Sequence, residues 1–225
     1  MALVSGMIYI NEYIHRTHVT PAQLDFLLAH GWRHFGTEFF RYSLVLEHSR
    51  IRQVIPLRIR LDDFQLSRGQ KRIVARNRDT EVVIRPSFID RAKEEMFHRH
   101  KQRFANNVPD SIHDFLSPTP ATVPCINHEI CVFLNEQLIA VSFLDLGENS
   151  ASAVYAIFEP EESSRSLGIF LILTGIDYAK KLNLKYYYPG YAYKGSSFYD
   201  YKKRFSGLEM YVWNRGWAAY REEDE

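Results

Sequence analysis

Three apolar segments separated by short turns, then a helical segment and a fourth apolar segment, make up most of the second half of the chain. These are Glu129–Leu134, Leu138–Leu146, Ser152–Phe158, the helix Gly168–Leu182 and the last segment Tyr186–Pro189. Short segments rich in β-branched and aromatic residues, with tight turns between them, predict consecutive antiparallel strands. A three-strand meander followed by a helix and another strand predicts an α+β fold, and this order limits the possible architectures more than any other feature.

The first half mixes helices and strands and predicts a smaller α/β unit. Thr20 and Pro21 are typical of a helix start, and Gly31 lies beyond the end of that helix. Periodicity predicts further elements at residues 38–46 (strand), 55–61 (strand), 67–77 (helix), 80–85 (strand) and 88–105 (helix), with a last strand near 208–213. Residues 108–124 contain four prolines and are the best candidate linker. We expect an N-terminal domain over residues 1–107, packed on a C-terminal domain over residues 125–225.

Composition favours a folded cytoplasmic protein. Apolar residues make up 46% of the 225 residues and aromatic ones 14%, which excludes disorder. No apolar run is long enough for a membrane span, and the N-terminus lacks the features of a signal peptide. The two cysteines, Cys125 and Cys131, match no zinc-site spacing, so we expect reduced, buried thiols. We expect a monomer with no membrane partner.

Positive charge is concentrated locally, although the net charge of +1 argues against a general nucleic-acid binder. The segment Ser67–Asp79, SRGQKRIVARNRD, is the clearest case. On a helix, its cationic side chains fall on one or two adjacent stripes. They suit an acidic side chain of a protein acceptor or the phosphates of an RNA. The alternative is an ordinary solvated helix face.

Arg165-Ser-Leu-Gly168 stands at the start of the predicted helix 168–182. Free amide groups and the helix dipole attract anions at such a position, and a glycine lets a phosphate approach the backbone. The alternative is a plain helix start capped by Ser163 or Ser164. The segment resembles the Arg/Gln-x-x-Gly-x-Gly/Ala turn of acetyltransferases, except that Phe170 replaces the last small residue, so we expect its ring to obstruct the pyrophosphate of coenzyme A.

Residues 190–203 form a predicted loop that is rich in lysine and tyrosine. Gly190 and Gly195 permit unusual backbone angles beside a ligand. Lys194 and Lys202 offer positive charge, and the tyrosines offer stacking faces and hydroxyls suited to a terminal adenosine. The alternative is a twisted edge strand with amphipathic tyrosines.

Taken together, these segments resemble the aminoacyl-tRNA–protein transferases, the arginyl- and leucyl-transferases of the N-degron pathway. Ser67–Asp79 is similar to the family pattern Ser-x-x-Gln-Arg-Arg-Val-x-x-Arg-Asn-x-Asp, and Arg165–Gly168 followed by an aromatic residue also occurs in the family. From the family's loop pattern this chain keeps Gly190, Tyr191, Gly195, Tyr201, Lys202, Phe205 and Glu209, and it departs at Ala192, Ser196 and Phe198. The resemblance runs from about Thr20 to Trp213 and is weak over residues 32–53 and 86–124.

The resemblance implies an acetyltransferase-like (GNAT) C-terminal domain that takes its acyl group from charged tRNA. The free α-amine of an acceptor protein that begins with Asp or Glu would attack the ester linking leucine or arginine to the tRNA. The catalytic residues expected from the family pattern are Tyr201, Lys202 and Glu209. The expected donor-binding residues are Arg165, Ser166, Gly168, Gly190, Tyr191, Lys194 and Gly195, and the expected acceptor-binding residues are Arg68, Gln70, Lys71, Arg72 and Arg76.

We expect no metal and no cofactor. The resemblance implies an iron–sulfur cluster only for eukaryotic members, at paired cysteines before a strand that matches Val54–Ile59. Residues 40–59 contain no cysteine, and such a cluster needs four thiolates. His98 and His100 are two positions apart, so they do not share a helix face as metal ligands would.

Two other functions remain open at this point. One is an acetyltransferase that uses acyl-coenzyme A, which Phe170 and the lysine- and tyrosine-rich loop disfavour. The other is a non-catalytic family member that binds tRNA or a peptide, which the loop departures suggest. The transferred amino acid is also open: bacterial relatives generally use leucine and eukaryotic ones arginine, and the short chain favours the bacterial kind.

Overall fold

The computed structural model describes residues 8–47, 49–104 and 108–221. In chain order the elements of the first half are β1 (Asn11–His15), α1 (Pro21–Ala29), β2 (Arg33–Phe35), β3 (Glu38–Tyr42), β4 (Leu44–Glu47), β5 (Arg50–Arg60), α2 (Arg68–Arg76), β6 (Glu81–Pro86) and α3 (Arg91–Lys101). Those of the second half are β7 (Asn127–Leu134), β8 (Gln137–Leu146), β9 (Ser150–Phe158), α4 (Leu167–Lys181), β10 (Tyr186–Tyr193), β11 (Leu208–Val212) and β12 (Gly216–Ala219). The helix predicted to reach Ala105 ends earlier, at Lys101, and Ala105 itself lies outside the described residues.

One large mixed sheet forms the centre of the molecule. Its strand order is β12-β11-β5-β10-β9-β8-β7-β6, with β4 paired to β5, and β1-β3-β2 form a small separate sheet. The pairs of the large sheet are antiparallel except β9 with β10, which are parallel. The predicted meander is therefore confirmed as β7–β9, and the α+β class is confirmed as helices packed on a mixed sheet. No helix in the described part of the chain is both long and apolar enough to cross a bilayer.

The large sheet takes strands from both halves of the chain. β5 lies between β10 and β11, and β6 pairs with β7 at the far edge. Residues 108–124 also contribute to the core, because Ile112 and Leu116 are buried against α3. The division into two domains joined by a linker is not confirmed by this sheet and stays a prediction.

Apolar side chains cover the sheet on both faces. On one face α4 buries Leu171 and Ile176 against Leu57, Ile59 and Tyr187 of the central strands. On the other face α3 packs on β8 and β9, and α1 with the small sheet packs over β10 through Trp32, Phe39 and Tyr188. Both faces of the central strands are thereby removed from water, which is the main stabilising contribution in a fold of this size.

The helix starts follow from local side-chain chemistry. Thr20 caps α1 and Ser67 caps α2, each in a reciprocal capping box with Gln23 or Gln70. The helix predicted from residue 88 begins instead at Arg91, because Asp90 provides the cap: its carboxylate accepts from the amide of Lys93 at 3.0 Å.

Three strand predictions needed correction. The single strand predicted over 38–46 is two strands in different sheets, because Ser43 donates its amide to Ile10 beside β1 and accepts from Val54 of β5. The predicted loop 190–203 begins four residues too early, because 190–193 continue β10 and stay paired with β5. The short strands β1, β2 and β12 were not predicted at all, since none carries an alternating pattern long enough to identify.

Close packing between α4 and the sheet generates a stability prediction. A Cβ on Gly175 would lie 2.9 Å from both Cε2 and the hydroxyl oxygen of Tyr187, whose side chain is fully buried. Gly175→Ala should therefore lower the free energy of unfolding by about 1–3 kcal/mol, as overpacked cores do. Urea unfolding followed by circular dichroism measures this change.

Gly168→Ala in the same helix is the matched control. Its Cβ would lie 3.5 Å from the ring of Phe158, an ordinary contact. The expected change is below about 1 kcal/mol in either direction. Equal destabilisation by both substitutions would show that close packing on Tyr187 is not the cause.

Candidate active site

The strands β9 and β10 are hydrogen-bonded neighbours over only part of their length. Residues 186–188 of β10 pair with residues 150–152 of β9. Beyond that point β10 stays paired only with β5, as far as Tyr193, and β9 only with β8, as far as Phe158. A wedge therefore opens between residues 153–158 and residues 189–193. We call it the strand gap.

Arg33 of β2 closes the narrow end of the strand gap. Its Nη1 donates to the hydroxyl of Ser152 at 2.7 Å and lies 3.5 Å from the carbonyl oxygen of Tyr188, while its Nη2 donates to the carbonyl of Ala153. The guanidinium thus links β9 to β10 where their own pairing ends. Burial lowers the pKa of Arg33, but arginine stays cationic at any working pH.

Lys202 reaches the same place from the short helical turn Asp200–Lys203. Its Nζ donates to the carbonyl of Tyr191 at 3.2 Å and lies 3.0 Å from the position that a Cβ on Gly190 would take. Nη2 of Arg33 lies 3.8 Å from that same position, so the missing side chain of Gly190, at φ +103°, leaves room for both cations. Burial, with the charge of Arg33 as a smaller cause, lowers the pKa of Lys202 to about 7.

The tyrosines around Lys202 are neutral. The ammonium lies 4.9 Å from the ring centroid of Tyr199 and 5.9 Å from that of Tyr201. Burial raises the pKa of Tyr201 to about 12 and also raises that of Tyr199. The hydroxyl of Tyr191 donates to the carbonyl of Gly31 at 2.6 Å, so this tyrosine fastens β10 to the segment that carries Arg33. Its backbone, not its hydroxyl, faces Lys202.

Glu209 lies elsewhere on the sheet. It is opposite Arg58 in the pairing of β11 with β5, and its carboxylate accepts from Arg58 Nε at 2.6 Å. The guanidinium of Arg58 also lies over the rings of Tyr186 and Trp217, at 4.1 and 4.3 Å from their centroids. In the described structure the partner of Glu209 is therefore Arg58, and Glu209 is not brought to the amine of Lys202.

At the start of α4, Arg165 is fully engaged within the protein. It forms a two-point ion pair with Asp79, at 2.8 and 3.0 Å, and a further bond to Glu162 at 2.8 Å. The hydrogen bond from Arg165 holds the pKa of Asp79 below its usual value. Ser166 adopts a left-handed conformation, φ +57°, and leads into the helix. The amides of Leu167 and Gly168 then lie in the first turn, where helix geometry leaves N–H groups without intrahelical partners.

The ring of Phe170 points into the core against the sheet, so the expectation that it obstructs a phosphate at the helix start was wrong. The sequence pattern showed that Phe170 lies about one turn from the helix start. It did not show whether the side chain is on the buried or the exposed face of the helix. Its side chain is on the buried face, away from the amides of the first turn.

The basic helix α2 carries two residues that are hydrogen-bonded to other segments of the protein and several cations that are exposed to solvent. Gln70 is buried, closes the capping box and donates to the carbonyl of Arg204 at 3.2 Å, while Arg76 donates to the carbonyl of Ser164. All four cations of the helix are exposed to solvent, namely Arg68, Lys71, Arg72 and Arg76, and of these Arg76 is also bonded within the protein. The bond from Gln70 places the start of α2 beside Arg204, two residues from Lys202.

Lys194 and Gly195 follow the end of β10. The amide of Lys194 donates to the carbonyl of Gln53 at 2.9 Å, and the carbonyl of Gly195 accepts from Lys203 Nζ at 2.7 Å. Gly195 has φ +75°, which suits glycine. These bonds fix the chain between β10 and the turn that carries Lys202.

The described residues include one buried group of metal-type ligands, His34, Cys125 and Asp145. His34 Nε2 lies 2.6 Å from an Asp145 carboxylate oxygen, and His34 Nδ1 lies 2.9 Å from the carbonyl oxygen of Gly36. Two ligands of a tetrahedral zinc ion would be about 3.3 Å apart. With an oxygen at each ring nitrogen, the geometry fits a buried hydrogen-bonded imidazole and carboxylate, supported by Asn127 on the second carboxylate oxygen at 2.8 Å, and does not fit a metal.

Sequence reasoning missed Arg33. It lies in the part of the chain where the family resemblance is weak, and its partner Ser152 is 119 positions away. No motif in a single sequence marks such a pair. The candidate active site therefore combines predicted residues, Gly190, Tyr191 and Lys202, with one that only the fold identifies.

Comparison with known proteins gives consistent matches. A family model described as arginine-tRNA-protein transferase, C terminus, matches residues 87–212. An aspartate/glutamate leucyltransferase of Helicobacter hepaticus is 30% identical over 209 residues, which is 89% of this chain and 84% of the relative. Proteins of the same name from Leptospira interrogans and Pseudoalteromonas atlantica are 30% and 28% identical, over 85% and 97% of this chain and 75% and 90% of the relatives.

Among solved structures, the C-terminal domain of an Agrobacterium fabrum protein described as a lysylphosphatidylglycerol synthetase is similar, with a TM-score of 0.50 and 11% identity. The similarity covers 81% of this chain and 55% of that one, and at this identity it concerns the fold alone. The family match over more than half of the chain, and relatives that are similar over most of it, show that this chain belongs to the aminoacyl-tRNA–protein transferase family.

Proposed function

We propose that this protein transfers leucine from charged tRNA to the N-terminal α-amine of acceptor proteins that begin with Asp or Glu. The similar bacterial proteins named aspartate/glutamate leucyltransferases support this choice of amino acid and acceptor. The observation that carries the proposal is the amine of Lys202, with its pKa lowered to about 7, at the strand gap beside Gly190. An amine in that state can accept a proton at the point where an acyl group would enter the sheet.

The strand gap would receive the aminoacyl end of the tRNA. Where two strands separate, backbone N–H and C=O groups lose their partners in the sheet. These groups can bind the ester carbonyl and the amino group of the aminoacyl end. The order of three antiparallel strands, a helix and a parallel strand, with a wedge between the parallel pair, supports an acetyltransferase-like architecture for this part of the chain. The free amides at Leu167 and Gly168, next to Ser166, would suit a phosphate of the tRNA end.

The reaction needs two proton transfers: one from the attacking amine to Lys202, and one from Lys202 to the leaving ribose oxygen. The α-amine attacks the ester carbonyl carbon, a C–N bond forms, and the C–O bond to the ribose breaks. The amine gives a proton to Lys202 Nζ, and the leaving ribose oxygen takes one, which restores neutral Lys202. A base with a pKa near 7 works close to the operating pH, and the attacking amine has an ordinary pKa of about 7.7–8.0.

Of the other two residues expected to be catalytic, Tyr201 would border the reacting amine with a neutral phenol. Glu209 would act at a distance, by holding Arg58 and the alignment of β11 with β5. Because an ester is already activated, positioning the two substrates supplies most of the remaining rate enhancement.

The exposed cations of α2 would select the acceptor. Arg68, Lys71 and Arg72 are exposed on a helix whose start is bonded to the turn that carries Lys202. A guanidinium there can form charge-assisted bonds to the side-chain carboxylate of an N-terminal Asp or Glu. Gln70 would support this surface from beneath, because it is buried and bonded within the protein, and the exposed Arg76, bonded to the carbonyl of Ser164, would border it.

We place this reaction in the cytoplasm and assign it to a monomer that marks acceptors for degradation in the N-degron pathway. The two cysteines support a reducing compartment, because both are buried free thiols whose pKa values burial raises. The proposed reaction requires that charged tRNA, its donor, is present in the cytoplasm.

The direct test is to incubate the protein with total charged tRNA and with peptides that begin with Asp, Glu or Ala, and to weigh the products. We expect a mass gain of one leucine residue on the acidic peptides only. A gain of one arginine would overturn the donor assignment. Binding of charged tRNA without any product would support the non-catalytic alternative.

Replacing the proposed base should act on turnover. Lys202→Met removes the proton acceptor while keeping the length of the side chain, so kcat should fall by about 10²–10⁴-fold with little change in the peptide KM. Steady-state kinetics with varied peptide and varied charged tRNA measure both parameters. In the wild type, kcat should rise as the pH increases through about 7, because only neutral Lys202 accepts a proton.

Lys181→Met is the control, since Lys181 lies on α4 with a largely exposed side chain and should leave all parameters unchanged. A Lys202→Met protein that keeps its kcat but binds charged tRNA more weakly would assign this lysine to a phosphate instead.

Acceptor selection should depend on Arg72. Arg72→Ala should reduce the preference for Asp or Glu over Ala at the peptide N-terminus by about 1.5–3 kcal/mol, because a charge-assisted hydrogen bond to the carboxylate is lost. Competition between paired peptides gives this ratio directly. Arg78→Ala, which removes an exposed cation just past the end of α2, should leave the ratio unchanged. An equal loss for acidic and neutral peptides would assign Arg72 to the tRNA or to folding.

A further inference from the structure

Arg33 and Lys202 form a pair of neighbouring cations. Nη2 of Arg33 and Nζ of Lys202 lie 3.8 Å and 3.0 Å from the same point, the Cβ position of Gly190. Two positive charges this close to one common point repel each other. Burial strengthens the repulsion because little water screens it. Of the two groups only the lysine can relieve the repulsion by losing its proton, since arginine keeps its charge.

The fixed position of Arg33 makes this repulsion constant. Its two Nη atoms are held by Ser152, Ala153 and Tyr188, on two different strands. Lys202 is held in turn by the carbonyl of Tyr191 on β10. Arg33 cannot turn away without breaking bonds that span the strand gap, and Lys202 cannot turn away without breaking its bond to β10.

The other titratable groups that face Lys202 carry no charge at working pH. On its own turn they are the phenols of Tyr199 and Tyr201, and the buried phenol of Tyr187 is within electrostatic range of both Arg33 and Tyr201; burial raises the pKa of all three. Tyr191 on β10 also has its pKa raised by burial. Nearby carboxylates are bonded elsewhere: Asp200 to Lys203, Glu209 to Arg58, and Asp145 to His34. Burial is the larger cause of the lowered pKa of Lys202, and among the described residues Arg33 is the charge that adds to it.

We propose that Arg33 is a positioning residue for aminoacyl transfer, which spans the strand gap and, through its fixed positive charge, keeps the amine of Lys202 ready to accept a proton. This inference rests on the proposed function for its catalytic meaning. The coupling between the two side chains is a property of the protein alone, so it is measurable without any substrate.

The test follows the protonation of Lys202 directly. Lysine labelled with ¹³C at Cε reports its protonation by NMR, and the signal is assigned as the one missing from Lys202→Gln. We expect Lys202 in the wild-type protein to titrate about three units below a free lysine, near pH 7. Arg33→Gln keeps hydrogen-bonding groups but removes the charge, and should move the midpoint up by about one to two pH units.

Kinetics give a second readout. In the transfer assay, Arg33→Gln should move the rising limb of kcat against pH upwards by the same amount. A residue that only held the strands together would lower kcat at every pH and leave both midpoints unmoved, which would overturn the proposal. A wild-type Lys202 that titrates like a free lysine would overturn it too, whether or not any variant folds. If the wild type transfers no amino acid, the proposed function fails, while the NMR titration still decides on Arg33.

Discussion

The parting of β9 and β10 is the constraint on which the site depends. After residues 186–188 pair with residues 150–152, the two strands follow different neighbours, and the carbonyls of Ala153 and Tyr188 face the opening. A buried carbonyl left without a partner costs about 1–3 kcal/mol. Arg33 removes this cost with one side chain, because a guanidinium can donate to several acceptors in a plane. A cation is thereby brought to the narrow end of the strand gap.

The elements around Arg33 hold it in place at the strand gap. β2 is held over the large sheet by its pairing with β3, by the packing of Trp32 and Phe39, and by the hydroxyl of Tyr191 on the carbonyl of Gly31. The buried pair of His34 with Asp145 fixes the next residue of the same strand to β8. Leaving one partner of such a buried hydrogen bond unsatisfied costs about 1–3 kcal/mol, so β2 has little freedom to move. The first half of the chain therefore completes the site of the second half.

Local chemistry determined which parts of this structure the sequence could predict. The capped helices and the β7–β9 meander depend on neighbours in the chain, so their patterns identified them. The insertion of β5 between β10 and β11 and the position of Arg33 depend on contacts over more than a hundred residues, for which a single sequence carries no signal. The residues of the family motifs have different surroundings in the structure. Lys202 and Gly190 lie at the strand gap, whereas Arg165, Gln70 and Glu209 are bonded to other residues of the protein away from it. A motif identified the family, but only the fold separated residues that border the gap from residues that support it.

The central claim is that the strand gap between β9 and β10 holds the aminoacyl end of the donor beside Lys202. A crystal structure with a leucyl-adenosine analogue, in which an amide replaces the reactive ester, tests it most directly. The account predicts the leucyl carbonyl in the strand gap, close to the backbone of Gly190 and within hydrogen-bond reach of Lys202 Nζ, directly or through one water molecule. An analogue bound on the exposed face of α2, or anywhere that leaves the strand gap empty, would contradict it.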